Sequence, residues 1–455
     1  MHVQLSQIAS VLESEVLSTG QGSGVRGQVA TGWSIDSRTV EKGDVFFALE
    51  GERVDGHEFV GLALKKGAVL AVANRPVSAA GPVLQVPNVG TALEKLAKWA
   101  RERWARPVVA ITGSAGKTTS KDIIAALLAT RFRVGKTVGN FNNHLGVPLS
   151  ILRFPDAAEV GVLELGMNHA GEIRELAGIA RPQVGVVTNV GYAHIEGFDS
   201  IDGIALAKRE LIESLPANGT AILNADDRRV LAFGEIHSGA VITYGIQNEA
   251  TIRAERVRQE PGKVEFDAGG VHFSSKLTGV HGILNILAGL ATASVWEISL
   301  AELVDSVSAL EPGRMRGERR IWNGITIFDD CYNSNPEAVR SMIEVLKDEP
   351  ARRRIAVLGE MLELGHWAEV LHREVGEYLA NAGIQLLVGI RGAGGFIIDA
   401  AISGGMSPNA AYFFDEPEEA GEFLRGYARP GDAILFKGSR GTHVERALAA
   451  FTGGG

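Results

Sequence analysis

Residues 112–119 of this 455-residue chain read Thr-Gly-Ser-Ala-Gly-Lys-Thr-Thr. They follow an apolar run, Val108-Val109-Ala110-Ile111, and precede a periodic segment carrying Ile123, Ile124, Leu127 and Leu128. The run predicts a buried strand and the periodic segment a helix. A strand, a loop of small residues and a helix N-terminus form an anion site, because loop N–H groups and the helix dipole both favour negative charge. Gly113, Ser114, Gly116 and Thr119 would bring backbone and hydroxyl groups to a bound phosphate chain. Lys117 would reach its outer phosphates, and the Thr118 hydroxyl would touch Mg2+. The usual phosphate loop has a glycine five residues before its Gly-Lys pair. Here that position is Ile111 and the glycine sits at 113, so the loop is shorter. A Gly-rich turn with a solvated lysine would also satisfy these residues, but the flanking strand and helix favour the phosphate reading.

Further groups fall at the ends of other apolar runs. Glu164 closes the run that starts at Val160, where a carboxylate can hold Mg2+ directly or through water. His194 ends Asn189-Val-Gly-Tyr-Ala-His, just after the next run, and a neutral imidazole there is a second candidate metal ligand. A capping carboxylate and a loop histidine satisfied by backbone fit the same positions. Lys208 lies in a helical segment, 201–215, on the stripe of Ile201, Ile204, Ala205, Leu211, Ile212 and Leu215. Such a lysine either snorkels to water or is held neutral, nucleophilic and open to modification. Asp330 stands in Asp-Asp-Cys-Tyr-Asn333-Ser-Asn335-Pro, after a predicted strand at 325–328, where α/β sheets bind ligands. An Asx turn with a helix cap accounts for that segment equally well. Asn140, Asn142 and Asn143 are suited to a polar ligand or to turning. Lys437-Gly-Ser439-Arg440 follows a predicted strand at 433–436 and offers two cations to an anion, or a solvated basic turn.

These groups need elements to hold them. Residues 1–106 read as a small α/β unit, with a strand from Asp44, a helix ending near Lys66-Gly67 and a helix over 91–104. From 107 to 312, predicted strands at 108–112, 160–165, 184–188 and 220–223 alternate with helices. That rhythm implies a parallel sheet covered on both faces. Residues 251–277 alternate like an antiparallel insert, and a helix is expected over 282–297. From 313 to 455 the alternation restarts. It has strands at 325–328, 354–358, 385–389 and 433–436, and helices at 336–347, 366–382 and 416–426, a second doubly wound unit. The expected class is therefore α/β in three domains that meet around the phosphate loop.

Composition bounds the function. A net charge of -9 argues against a general nucleic-acid-binding surface. A single cysteine, Cys331, excludes an internal disulfide framework and fits a reducing compartment. The N-terminal residues lack the basic and apolar regions of a signal peptide, and no 18-residue uncharged apolar run predicts a membrane span.

Taken together and in order, the TGSAGKT loop, Glu164, the His194 loop, Lys208, His281 with Asn285, Arg316 and Asp330 resemble the Mur ligase family. These are ATP-dependent amide-bond ligases of peptidoglycan precursor synthesis. Asp36-Ser37-Arg38 with GDVFFALEGERVDGHEF, GNFNNHLGVPLS, DDCYNSNP, and LGEMLELG with Lys437-Gly-Ser-Arg are most similar to one member of the family. That member joins D-alanyl-D-alanine to UDP-N-acetylmuramoyl-tripeptide. The resemblance implies a small N-terminal domain, a central P-loop-type ATPase domain and a C-terminal Rossmann-like domain. It also implies ATP and Mg2+ as cofactors, a cytoplasmic location and a monomer. Lys117, Glu164, His194 and Lys208 would be catalytic, with Thr118, Glu164, His194 and a carbamylated Lys208 on metal. Asn285, Arg316 and Asp330 would position the nucleotide. Ser37, Arg38, Asn140, Asn142 and Asn143 would hold the UDP-sugar peptide, while Asn333, Asn335, Lys437, Ser439 and Arg440 would meet the dipeptide. Folylpolyglutamate synthase shares the ATP core, but lacks a separate sugar-nucleotide domain before the phosphate loop. The chain departs from the family at Ala115, where Asn or Ser is usual, at Gly282, where Asn is usual, and at Cys331, where Ser is common.

Overall fold

The computed structural model describes residues 1–18, 27–51 and 54–454, with no side-chain description at 16–18. Glu52 and Arg53 of the GDVFFALEGERVDGHEF segment lie outside the described residues. Each apolar run of the central part becomes a strand buried on both faces. Val108–Thr112, Val160–Glu164, Val184–Val187 and Thr220–Asn224 are buried at every position. They are parallel neighbours in one sheet with Val108–Thr112 in the interior, between Val160–Glu164 and Val184–Val187. The chain winds to one side of that strand and then to the other, so a crevice opens at its carboxyl end. The segment 251–277 forms the expected antiparallel strands, Ile252–Glu260, Lys263–Ala268 and Val271–Ser275, at one edge of this sheet.

The C-terminal sheet runs in the order Glu318–Trp322, Ile325–Asp330, Asp432–Lys437, Arg353–Gly359, Leu386–Ile390, Ala411–Phe414. All pairs except the first are parallel. In register, Asp330 lies opposite Lys437. The N-terminal sheet brings Asp44–Phe47 between Gly32–Ser34 and Leu70–Ala73. It is fastened to the central part by the Val89–Trp104 helix, by the Met1 ammonium on the Leu152 and Phe154 carbonyls, and by Arg153 on the Trp33 carbonyl.

Sequence patterning did not single out Leu70–Ala73, at the centre of the N-terminal sheet, or Ala240–Gly245, inside the central one, and it also passed over several strands at sheet margins. The marginal ones are short, such as Val134–Lys136 and Ala411–Phe414. Edge strands are half-covered and brief, so their apolar signal is weak. The helix expected over 282–297 spans Gly279–Ser294, and Glu297 beyond it takes a φ of 55° that no α-helix continues. The helix expected from 366 begins as a 3-10 turn, Gly365–Trp367, before Ala368–Ala380.

Candidate active site

A cavity of about 810 Å³ lies between the carboxyl ends of the central and C-terminal sheets. Its lining brings together Ser114, Gly116, Lys117, Thr118, Thr119, Asn140, Asn142, Asn143, Glu164, His194, Asn285, Arg316, Asp330, Asn333, Asn335 and Lys437. Gly113, Lys208, Ser439 and Arg440 are not part of that lining, and neither is any described residue of 1–106. The expectation that three domains meet around the phosphate loop is therefore corrected. In this conformation only the central and C-terminal parts form the cavity, and Ser37 and Arg38 stand apart from it.

The phosphate loop is held by its own Ser114 and Lys117 side chains and by Thr188 and Asn189 beside it. Gly113 has a φ of 153°, and a Cβ there would sit 1.8 Å from Thr188 Oγ1. Gly116 has a φ of 79°, and a Cβ there would meet Asn285 Oδ1 at 2.5 Å. Both glycines are therefore required by conformation and by contact. Ala115 replaces a polar residue at no evident cost. Its N–H donates to Asn189 Oδ1 at 2.8 Å and its carbonyl accepts from Thr188 Oγ1 at 2.6 Å. Gly282, the second departure, packs where a Cβ would meet the Leu277 carbonyl oxygen at 2.2 Å, so this chain has no room for a side chain there.

Lys117 opens the helix Lys117–Leu128 and donates to the Gly113 carbonyl at 2.7 Å. The residue is half-buried and lines the cavity. Burial lowers its pKa, against the opposing pull of Glu164 and Glu363. Thr118 donates its hydroxyl proton to Glu164 Oε2 at 2.8 Å, and Asn142 Nδ2 donates to Glu164 Oε1 at 2.8 Å. The backbone N–H of Glu164 donates to Thr137 Oγ1. Glu164 is thus a buried carboxylate aimed at the helix N-terminus by two side chains. Asn142, one of the amides read as a ligand contact, already spends its NH2 on that task. Asn143 accepts the N–H groups of Leu145 and Gly146 and shapes the turn, which is the bland reading of that cluster.

Lys208 does not snorkel. It is 1% exposed and makes no hydrogen bond or ion pair with a described residue. Burial drives its pKa well below the ordinary lysine value, and the nearby Lys117 charge acts the same way. The neutral amine is therefore the favoured form. His194, at a φ of 64°, has its Nδ1 2.7 Å from Glu363 Oε2 of the LGEMLELG loop. The contact is close, but Nδ1 has no well-aligned hydrogen-bond partner among the described residues. The neighbouring imidazole holds the Glu363 carboxyl below its usual range.

On the C-terminal side, Lys437 Nζ lies 2.6 Å from Asp330 Oδ2 and donates to the Asn333 carbonyl at 2.8 Å. It is 2% exposed, so the reading of 437 and 440 as two free cations is corrected: one is buried and neutralised by Asp330. Asn335 accepts from the Ala338 N–H as the cap of the helix Pro336–Asp348. Ser439 Oγ accepts the Leu362 N–H at 2.9 Å, and Arg440 lies against Glu445 at 3.1 Å. The Arg316 guanidinium stacks 3.8 Å above the Tyr332 ring. Asn285 Oδ1 accepts from Ser120 at 3.0 Å, tying its helix to the phosphate-loop helix. In the N-terminal part, the Arg38 guanidinium is paired with Asp36 and 87% exposed, while Lys66 holds the Ser37 carbonyl.

Sequence patterning missed Asp227, Glu337, Glu363, Asn189 and Thr188. All are polar loop or helix-start residues whose partners are distant in sequence, so no local period could reveal them.

Three family models match the chain. They are described as the Mur ligase family catalytic domain at residues 30–103, the Mur ligase middle domain at 111–293, and the Mur ligase glutamate ligase domain at 313–440. A UDP-N-acetylmuramoyl-tripeptide–D-alanyl-D-alanine ligase of Bacillus subtilis is 34% identical, covering 92% of this chain and 93% of its own length. The chain belongs to the Mur ligase family. The Escherichia coli ligase of the same name is 34% identical over 85% of this chain and 86% of its own. Among solved structures, MurF from Acinetobacter baumannii superposes with a TM-score of 0.89 at 28% identity, covering 100% of this chain and 99% of that one. MurF ligase from Thermotoga maritima, in complex with ADP, superposes at 0.82 with 31% identity, covering 93% of this chain and 98% of that one. A Mycobacterium tuberculosis folylpolyglutamate synthase shares the fold at 17% identity and a TM-score of 0.64.

The donors also bear on Mg2+. Among the described residues, no three His, Cys, Asp or Glu side chains gather as a metal cluster. Mg2+ asks for little from protein, one or two carboxylates plus phosphate and water oxygens. Glu164 with Thr118 fits that demand. Lys208 as an amine supplies no anionic oxygen and could serve only if modified.

Proposed function

We propose that the protein is an ATP-dependent ligase that joins D-alanyl-D-alanine to UDP-N-acetylmuramoyl-tripeptide in peptidoglycan precursor synthesis. The reading rests above all on one juxtaposition. Lys117, Thr118 and the doubly held Glu164 face Arg316 and Asp330 across a single cavity, within a chain similar over nearly its whole length to ligases of that name. The ADP complex of the Thermotoga maritima relative supports a nucleotide in that cavity. Residues 1–106, 107–312 and 313–455 serve as the UDP-sugar-peptide, ATP and ligase domains.

The terminal carboxylate of the tripeptide attacks the γ-phosphorus of ATP. A carboxyl O–P bond forms, the bond to ADP breaks, and an acyl phosphate results. The neutral dipeptide amine then attacks the acyl carbon, the amide N–C bond forms, the acyl C–O bond breaks, and phosphate leaves with the proton the nitrogen gives up. Two anions meet in the first step, so cationic stabilisation is the main demand. Lys117 meets it at the outer phosphates. Mg2+, when bound by Thr118 and Glu164, with a second ion beside His194 and a carbamylated Lys208, would neutralise phosphate oxygens and draw the carboxylate in. The neutral Lys208 amine adds to CO2, forming an N–C bond and releasing a proton, and so gains two anionic oxygens. Asn285, Arg316 and Asp330 position the nucleotide, with Asp330 on the ribose hydroxyls and Lys437 fixing that carboxylate. Ser37 and Arg38 act with Asn140, Asn142 and Asn143 on the UDP-sugar peptide once the N-terminal domain closes. Asn333, Asn335, Ser439 and Arg440 line the approach of the dipeptide, with the exposed Arg440, now beside Glu445, meeting its carboxylate.

Under this reading the protein is a cytoplasmic monomer. Among the described residues no helix is long and apolar enough to cross a membrane, and both cavity walls come from one chain. Phosphate release across a panel of UDP-sugar tripeptides and D-amino-acid dipeptides tests it. Turnover should require both substrates, and the panel decides between diaminopimelate and lysine at the third residue. ATP consumption without ligated product would end the reading.

A further inference from the structure

The loop that presents His194 has three successive backbone N–H groups, each taken by a side chain from a different element. Val190 N–H donates to Asp227 Oδ2 at 2.7 Å. Asp227 is the N-cap of the short helix Arg228–Ala232 and also accepts the Arg229 and Val230 N–H groups. Gly191 N–H donates to Ser114 Oγ of the phosphate loop at 2.8 Å, and Ser114 Oγ donates back to the Gly191 carbonyl at 2.9 Å. Tyr192 N–H donates to Glu337 Oε1 at 3.2 Å. The first two anchors belong to the central part. The third reaches across from the C-terminal part.

We propose that Glu337 is a positioning residue through which docking of the C-terminal domain sets the His194 loop and, through Ser114, the phosphate loop. The inference rests on the ligase reading above for its kinetic consequence, though not for the contact itself.

Glu337 opens the second position of the Pro336–Asp348 helix, whose cap is already supplied by Asn335. Its carboxylate is therefore not needed to end the helix. Among the described residues Oε2 is buried without a hydrogen-bond partner, an arrangement that costs stability. The fit to the loop is tight. A Cβ built on Gly191 would lie 2.7 Å from Glu337 Cδ and 2.9 Å from both carboxylate oxygens. Only a glycine at 191 lets the carboxylate reach the Tyr192 N–H. One helical turn further on, Ser341 Oγ lies within hydrogen-bond distance, 2.7 Å, of His281 Nδ1 of the central part, so the same helix face meets the central part at two points. If the domains part, the Glu337 contact is lost and Tyr192 N–H has no carboxylate, while Asp227 and Ser114 remain in place. The His194 loop would then be held at two points and not three.

Two measurements on the full chain test this. The first is hydrogen exchange at the Tyr192 amide. Glu337→Ala should speed exchange by about ten-fold, the loss of one buried hydrogen bond, with the Val190 amide unchanged. Unchanged exchange at Tyr192 overturns the proposal whatever the enzyme does. The second is steady-state kinetics, with wild-type ligation as the gate. Glu337→Ala should lower kcat by about ten-fold, with the Kd for the UDP-sugar tripeptide unchanged by calorimetry. Glu337→Gln keeps an acceptor oxygen and should recover most of that loss. Gly191→Ala should reproduce the Glu337→Ala defect, and the double variant should be no worse than either single one. Equal loss in Gln and Ala, or additive effects of Gly191→Ala and Glu337→Ala, would overturn the proposal. A wild-type chain that fails to ligate would end the ligase reading and leave the exchange result to stand alone.

Discussion

Two lysines beside the phosphate loop, Lys117 and Lys208, stand without an ion-pair partner among the described residues, whereas the buried Lys437 of the C-terminal part is paired. Lys117 donates to a backbone carbonyl, and Lys208 has no hydrogen-bond or ion-pair partner among the described residues. Lys437 is locked between Asp330 and the Asn333 carbonyl. Both regions are carboxyl ends of parallel strands, so topology alone would treat them alike. The difference is one of division of labour. A paired ion holds shape and adds little field, while an unpaired cation in a half-enclosed cavity presents its potential to an incoming anion. The central wall is built to receive phosphate charge and the C-terminal wall to hold its geometry.

The largest test of that contrast removes an unpaired cation. Lys117→Ala should lower kcat by about 10²–10³ or more, with the fold intact by circular dichroism, because it removes charge acting on the transferring phosphoryl group. Near-normal ATP-dependent product formation would erase the contrast. Lys208→Ala should be nearly as inactive, and short carboxylates added to the assay should restore part of the rate. Lys208→Arg should stay inactive, since a guanidinium keeps its charge and forms no carbamate. Intact mass measured under CO2 gives an independent readout of the modification. Full activity of the arginine variant would remove the modified lysine from the scheme.

Breaking the paired side should damage stability first. Asp330→Ala leaves Lys437 buried and uncompensated, and should cost about 3 kcal/mol of unfolding free energy by denaturant titration. A smaller loss than for Lys117→Ala in kcat, once corrected for folded fraction, would sharpen the comparison. Arg38→Ala should raise KM for the UDP-sugar tripeptide by about ten-fold and leave KM for ATP unchanged. Equal effects on both would assign Arg38 to general folding.

The smallest effect concerns pH. His372 accepts the Met361 N–H at Nε2 (2.9 Å) and donates from Nδ1 to the Ala368 carbonyl (2.6 Å), so it must stay neutral. Burial lowers its pKa. The unfolded chain therefore takes up the proton more readily, and stability is full above the unfolded value of about 6.5 and declines as pH falls below it. Thermal melts at about pH 7 and 5 should show that slope. His372→Phe should flatten it while lowering the melting temperature at both values.

Much of this molecule was legible without coordinates, and the reason is local. The strands of both parallel sheets are continuous apolar runs because both faces are covered, and their carboxyl ends announce Glu164, Asp330 and the phosphate loop. Lys208 stood out because a lysine breaks an apolar stripe, and its burial then removed the snorkelling alternative. The Asn335 cap was visible as one of two readings of DDCYNSNP, and it is the one its side chain performs.

What the sequence by itself determined was the order of elements, the class of fold and the residues at strand ends. Those follow from burial and from short-range backbone chemistry. Only the tertiary structure decided how each polar group spends its hydrogen bonds. Asn142 turns to Glu164, Lys437 to Asp330, Glu363 to His194 and Glu337 to Tyr192, each across 22 to 169 positions of chain. A charge carries no mark in sequence of whether a partner will meet it, because that depends on which strand ends and loops the packing brings within about 3 Å.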